Sequence, residues 1–178
     1  MSMTLEFSVR EGTPSDFGAV VDIKVRSWAK TYSALLEPAV LRPFLDRSKQ
    51  LAELRREADR PTTKLLVAQD SHGAVVGFAL AYLDREPDPW LESLHVIDRL
   101  RGRGAGTLLM RTLAAQLRDR GYNSMRLGVI VGNQDAARLY ERLGAALVGV
   151  ELVSWANGVR HQVFRWSDLG DLSGAPSD

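Results

Sequence analysis

Apolar and polar positions change rhythm several times along the chain, and each change marks an element. Residues 5–10, LEFSVR, alternate and predict a short strand. GTPSDF then supplies a helix start, with Thr13 as N-cap, Pro14 at the first helical position and Asp16 as the acidic third residue of a capping box. A helix is expected over 16–32, with Val20, Ile23, Ser27, Trp28 and Tyr32 along one side. A second is expected over 37–60, bent or split near Pro43, with Pro61 after its end. TKLLVAQD and AVVGFALAYLD read as apolar strands joined by DSHG, and WLESLHVI as a third strand after a proline-rich loop. From Gly104 to Arg120 the period becomes helical, because Leu109, Leu113 and Leu117 recur every four residues before the Gly121 stop. SMRLGVIV reads as a strand, and NQDAARLYERLG as a short helix with Asn133 as N-cap and Gly144 as stop. ALVGVELVSW and VRHQVFRW form a hairpin across Asn157-Gly158.

No repeat, linker or compositional break divides these elements. One α/β domain with a mixed (α+β) sheet is expected over 1–178, its ordered core spanning about 5–169 and a flexible tail occupying 170–178. The strand–helix–strand–helix–strand order of the second half requires at least one parallel crossover.

Composition narrows the function without naming it. The chain has 178 residues, 45% of them hydrophobic and 25% charged, enough to bury a core and enclose a cleft. A net charge of +1 points away from nucleic-acid and membrane partners. The absence of cysteine excludes disulfides, thiolate metal sites and a Cys nucleophile. The three histidines, His72, His95 and His161, are far apart in sequence, so no metal site is expected. Without a basic-then-apolar leader or an apolar run near the ~18 residues of a membrane span, a cytoplasmic protein is expected.

The stretch RLRGRGAGTLL, 99–109, carries the first chemistry. Free amides at a helix N-terminus bind anions, glycines let a bulky anion approach the backbone, and Arg101 and Arg103 add countercharge. A phosphate or pyrophosphate suits that combination. The run lacks the Gly-Lys-Ser/Thr of a Walker loop. It also fails the dinucleotide fingerprint, since Thr107 stands three residues beyond Gly104 and Leu109 three beyond Gly106.

The spacing that fits is R-x-x-G-x-G at Arg101, Gly104 and Gly106. LESLHVIDRLRGRGAGTLLMRTL followed by GVIVGNQDAARLYERLGA resembles the GNAT superfamily of acyl-CoA-dependent N-acetyltransferases. VRSWAKTYSALL and FRWSDL extend the resemblance over most of the chain, and the Phe often found after Leu-Gly in the family is Ala145 here. The resemblance implies a GNAT-like fold, a mixed sheet of about seven strands splayed in the middle and flanked by about four helices. It implies acetyl-CoA as cofactor, CoA as product, an amine acceptor, and a monomer or homodimer, while the compact, near-neutral chain without a basic patch points to a small-molecule amine. A non-catalytic acyl-CoA-sensing module and acetylation of peptide or protein amines are the alternatives.

The same resemblance assigns roles to residues. Leu94, His95 and Val96 would hold the pantetheine arm along a splayed strand, where a free amide would also polarise the thioester carbonyl. Arg101, Gly102, Arg103, Gly104, Ala105, Gly106 and Thr107 would cradle the pyrophosphate, and Asn133 would add a pantetheine contact to its capping role. Tyr140 would give a proton to the departing thiolate and touch the cofactor. Alternation in WLESLHV places Trp90, Glu92, Leu94 and Val96 on one face and Leu91, Ser93 and His95 on the other. Glu92, a charge amid apolar neighbours, is a candidate base for the amine, directly or through water. A Glu that only reaches solvent or pairs with an arginine is the competing reading. Trp28, Tyr32 and Trp90 are candidates for a substrate wall, and core packing accounts for each equally well.

Overall fold

The computed structural model describes residues 6–172. Seven strands form one sheet in the order β1-β2-β3-β4-β5-β7-β6. They are β1 (Ser8–Glu11), β2 (Thr63–Gln69), β3 (Val75–Tyr82), β4 (Trp90–Val96), β5 (Met125–Ile130), β6 (Ala146–Leu152) and β7 (Arg160–Trp166). β4 and β5 are parallel, joined by the expected crossover, and the other neighbours are antiparallel.

Six helices accompany the sheet: α1 (Phe17–Tyr32), α2 (Pro38–Leu45), α3 (Arg47–Ala58), α4 (Ala105–Asp119), α5 (Gln134–Arg142) and α6 (Leu169–Leu172). Four were expected. The helix over 37–60 is divided at Asp46, not at Pro43, which stays inside α2. Asp46 is extended, and its carboxylate accepts the Lys49 amide, so it caps α3. Leu169 and Leu172 are buried, so the packed core runs past 169 and the tail expected from 170 loses its first three residues. The remainder of that tail, 173–178, lies outside the described residues, as does Leu5 of the first expected strand.

Helices cover both faces of the sheet because strand residues alternate between them. Leu65, Val67, Phe78 and Leu80 pack with Phe17, Val20 and Leu54 of the α1–α3 layer. Leu66, Ala79, Met125 and Leu127 pack with the Leu109, Leu113 and Leu117 stripe of α4. The entry to α1 is fixed by Asp16 in a turn of 3-10 helix: its carboxylate takes both Arg10 amino groups at 2.7 and 2.8 Å and the Thr13 amide at 2.8 Å.

Two irregularities shape the middle of the sheet. β4 and β5 pair only through Trp90 with Arg126 and Leu91 with Leu127, and then diverge. β4 also carries a bulge: Leu80 faces Ser93 and Ala81 faces Leu91, so Glu92 has no partner on β3. The extra residue reverses the alternation. Trp90 packs on the α1 side and Leu91 on the α4 side, yet Leu94 and Val96 also lie on the α4 side. His95 turns to Ser27 of α1. The expected grouping of Trp90 and Glu92 with Leu94 and Val96 is therefore corrected, and Glu92 and His95 share a face instead of opposing each other.

Candidate active site

The divergence opens a cleft of about 1920 Å³, bounded by α1, β4, the mouth of α4, β5 and α5. From Glu92 to Val96, β4 presents a backbone edge with no strand beside it. Leu94, His95 and Val96 line the cleft there, as expected. At its end the chain passes through a 3-10 turn, Asp98–Leu100, to Gly104, the N-cap of α4. Gly104 has φ 99°, a left-handed value that an L side chain adopts only with strain, and no side chain caps the helix. Its carbonyl accepts the Leu108 amide at 2.9 Å, so the amides of Ala105, Gly106 and Thr107 precede the first helical bond. Uncapped donors with the helix dipole behind them form an anion site.

The loop residues divide. Arg101, Gly102, Gly104, Gly106 and Thr107 line the cleft, whereas Arg103 and Ala105 do not. Arg103 is exposed at the surface, and the Ala105 side chain is buried in the core. Arg101 is tied back: it donates to Ser27 Oγ at 3.1 Å and pairs with Asp98 at 3.2 Å. Ser27 Oγ in turn lies 2.8 Å from His95 Nδ1. Burial, with Lys24 and Arg101 nearby, pushes the His95 imidazole down to about 3, so it is neutral at working pH.

Across the cleft, Asn133 caps α5 through Ala136 and donates to the Tyr32 hydroxyl at 3.4 Å. Tyr140 is buried against Trp166, with ring centroids 5.9 Å apart, yet lines the cleft. Burial, with Tyr32 adding to it, pushes its phenol well above the ordinary range, so the group keeps its proton.

The opposite end is acidic and aromatic. Glu92 is open to water, and desolvation by the surrounding walls raises its carboxyl, with Lys24 opposing and Glu57 reinforcing. The Trp90 indole donates to Glu92 Oε2 at 3.0 Å. Lys24 is pushed down by burial while Glu57, Glu92 and Glu53 pull it back. Trp28 stacks on Phe44 at 4.2 Å, contacts Tyr32 at 4.5 Å and meets Trp155 edge-on at 6.0 Å. The structure thus brings Trp28, Tyr32, Trp90, Glu92, Asn133 and Tyr140 into one cleft.

Sequence reasoning missed Lys24, Glu53 and Glu57, although helical spacing carried them. Lys24, Ser27, Trp28 and Thr31 fall on one face of α1, and Glu53 and Glu57 lie one turn apart on α3. Asp88 is 4% exposed and holds Ser124 and Arg165. Burial pushes its carboxyl up, but the hydrogen bonds from Arg165 and Ser124 outweigh that and leave it low. Among the described residues, no group of three or more His, Asp or Glu is placed to hold a metal ion, and no helix is long and apolar enough to cross a membrane.

A mixed sheet parted between two parallel strands, with a glycine-mouthed helix at the gap, places the chain in the class of α/β proteins whose sheet opens at its centre. The Acetyltransferase (GNAT) family model matches residues 25–145, and the chain belongs to that family. An uncharacterised N-acetyltransferase of Mycobacterium tuberculosis is 28% identical over 138 residues, 75% of this chain and 86% of that one. L-methionine sulfoximine/L-methionine sulfone acetyltransferase of Pseudomonas aeruginosa is 32% identical over 110 residues, 59% of this chain and 60% of that one. Streptothricin acetyltransferase of Streptomyces lavendulae is 29% identical over 116 residues, 65% and 61% of the two chains. Among solved structures, PaiA N-acetyltransferase from Thermoplasma acidophilum in complex with coenzyme A matches with TM-score 0.74 at 16% identity, covering 90% of this chain and 98% of that one.

Proposed function

We propose that the chain transfers an acetyl group from acetyl-CoA to a primary amine of a small molecule by direct attack, without an acyl-enzyme. The observation that carries this reading is the unpaired edge of β4 running from Glu92 straight into the uncapped amides of α4. An extended arm ending in phosphates fits that path: strand-like pairing suits the arm, and a helix mouth suits the charge.

Acetyl-CoA, when bound, supplies the activated thioester. The chain's residues do the rest. The edge at Leu94–Val96 holds the arm, and the amides of Ala105, Gly106 and Thr107 hold the phosphates even though the Ala105 side chain is buried. Glu92 draws in the ammonium and takes a proton, and the desolvation that raises its carboxyl makes it a stronger base. Tyr140, still protonated, supplies one to the departing sulfur. Holding the amine against the acyl carbon removes much of the entropic barrier. The ring wall of Trp28, Phe44 and Trp155 and the Glu53–Glu57–Glu92 carboxylates favour a small cationic amine with an apolar part. Relatives that bear the names of small-molecule acetyltransferases support the same acceptor class.

Titration calorimetry with acetyl-CoA, CoA and NAD, repeated with Gly104→Glu, tests the cofactor. Micromolar acetyl-CoA binding that the variant abolishes, with NAD silent, is expected; silence from both CoA species refutes the reading. Thiol release is then screened with streptothricin, L-methionine sulfone, thialysine and simple alkylamines. Binding without release from any amine would indicate the sensing module instead. A monomer or homodimer, located in the cytoplasm, completes the proposal, and light scattering and cell fractionation test those two points.

A further inference from the structure

The gap between β4 and β5 has two sides, and only one of them carries its own side chain. Beyond the last pair, Leu91 with Leu127, the next residue on β4 is Glu92 and the next on β5 is Gly128. A Cβ at Gly128 would lie 2.2 Å from His161 Nδ1 and 2.8 Å from its Cε1. The imidazole of His161, on β7, therefore lies across β5 in the space a side chain at 128 would fill. Register agrees: His161 is opposite Ile130, and Ile130, Gly128 and Arg126 alternate onto the α1 side of β5.

Trp90 joins the two sides. Its indole nitrogen donates to Glu92 Oε2 at 3.0 Å, and its ring centroid lies 5.8 Å from that of His161. Behind the imidazole, Glu151 of β6 places Oε2 3.7 Å from Nε2. A carboxylate on that side favours the Nε2–H tautomer and leaves the Nδ1 lone pair at the gap. The other charged neighbours are Glu92 on β4 and Arg126 on β5, the latter paired with Asp88. From α1 and α2 the cleft receives the rings of Trp28, Tyr32 and Phe44 with the charged Lys24 and Lys30, and from α3 it receives Lys49, Glu53 and Glu57.

We propose that His161 is a second proton acceptor of the acetyl transfer, acting from the β5 side of the gap while Glu92 acts from the β4 side. This rests on the reading of the cleft given under the proposed function. An ammonium loses two protons on becoming an amide. Glu92 takes the first and frees the lone pair. As the C–N bond forms, Nδ1 takes the second, and Glu151 stabilises the imidazolium. The C–S bond breaks, the thiolate takes a proton from Tyr140, and solvent restores Tyr140, Glu92 and His161 with net release of one proton. Glu151 is a positioning residue.

The test uses the amine that the thiol-release screen returns, with acetyl-CoA in water alone as the background. CoA release from acetyl-CoA alone is measured from pH 5.5 to 9, and again with whichever amine the screen returns. The variants are His161→Asn, Gly128→Ala, Glu92→Gln and His161→Asn with Glu92→Gln. His161→Asn should lower kcat on the order of 100-fold with KM within about threefold. Gly128→Ala keeps the imidazole but displaces it, and should reproduce that loss. Glu92→Gln should also lower kcat, and the double variant should fall below either single variant. Glu151→Gln, which removes the carboxylate 3.7 Å behind the imidazole, should lower kcat by less than His161→Asn does. Calorimetric binding of acetyl-CoA by each variant separates this inference from the cofactor reading and reports on folding. Intact binding with kcat within twofold of the parent in both His161→Asn and Gly128→Ala would overturn the role of His161.

Discussion

Gly104 and Gly121 bracket the same helix and make a matched experiment. Both have positive φ, 99° and 90°, and at both a Cβ would meet nothing within 4 Å. Alanine at either site therefore suffers backbone strain without a clash. A left-handed alanine costs about 1–2 kcal/mol. In a chain of this size that lowers Tm by roughly 2–8 °C. The two positions differ in what the strain can disturb. Gly121 follows α4 at its C-terminal end, its amide donating to the Arg118 carbonyl. Gly104 aims the amides of Ala105, Gly106 and Thr107 into the cleft. If the strained turn relaxes in Gly104→Ala, those donors rotate away. Losing one charge-assisted hydrogen bond, ~1.5–3 kcal/mol, weakens binding on the order of 10- to 100-fold. Thermal melts should show similar losses for Gly104→Ala and Gly121→Ala, while calorimetry with acetyl-CoA should show weakening for Gly104→Ala only. Equal affinities in the two variants would refute the helix mouth as the phosphate site.

Tyr140→Phe removes only the hydroxyl, so acetyl-CoA should bind within about threefold of the parent while kcat falls on the order of 100-fold in a thiol-release assay. The loss should be the same from pH 7 to 9, because the phenol is held above its ordinary range and stays protonated there. In His161→Asn, the remaining acid limb of kcat/KM belongs to Glu92. Its raised pKa should place that limb above the ordinary glutamate value of about 4.3, and Glu92→Gln should abolish it. Asp16 is lowered from 3.8 to about 2 by its hydrogen bonds with Arg10, against desolvation, with Thr13 assisting. A depressed folded pKa stabilises above the unfolded value, and that stability fades as pH falls from about 4 towards 2. Asp16→Asn should therefore cost about 2 kcal/mol in urea melts at pH 7 and almost nothing at pH 2.

The parts of this molecule that sequence exposes are those whose cause is local. The α4 stripe, the Asn133 cap and the glycine run at 102–106 each follow from residues within a turn or two of one another, and each appears where expected. The uncapped, glycine-led N-terminus of α4 was legible for the same reason, since a helix mouth is a local object. Its details were not. Arg103 is exposed and does not line the cleft, and Arg101 is held by Ser27, which is 74 positions distant. Alternation along β4 fails at Glu92, where a bulge is set by the register against β3 and by nothing within WLESLHV itself.

The acceptor half shows why the illegible part is the chemical part. Lys24, Glu57, Glu92 and His161 come from α1, α3, β4 and β7, and what each can do depends on neighbours that only the sheet order assembles. Gly128 is the clearest case. In the sequence it is one small residue in an apolar strand, a mild weakness in SMRLGVIV. In the sheet it stands at the point where β4 and β5 part, and its missing side chain is the space that admits a histidine from another strand. A bulge on one strand and a glycine on the next thus bring Glu92 and His161 to the same gap from opposite sides.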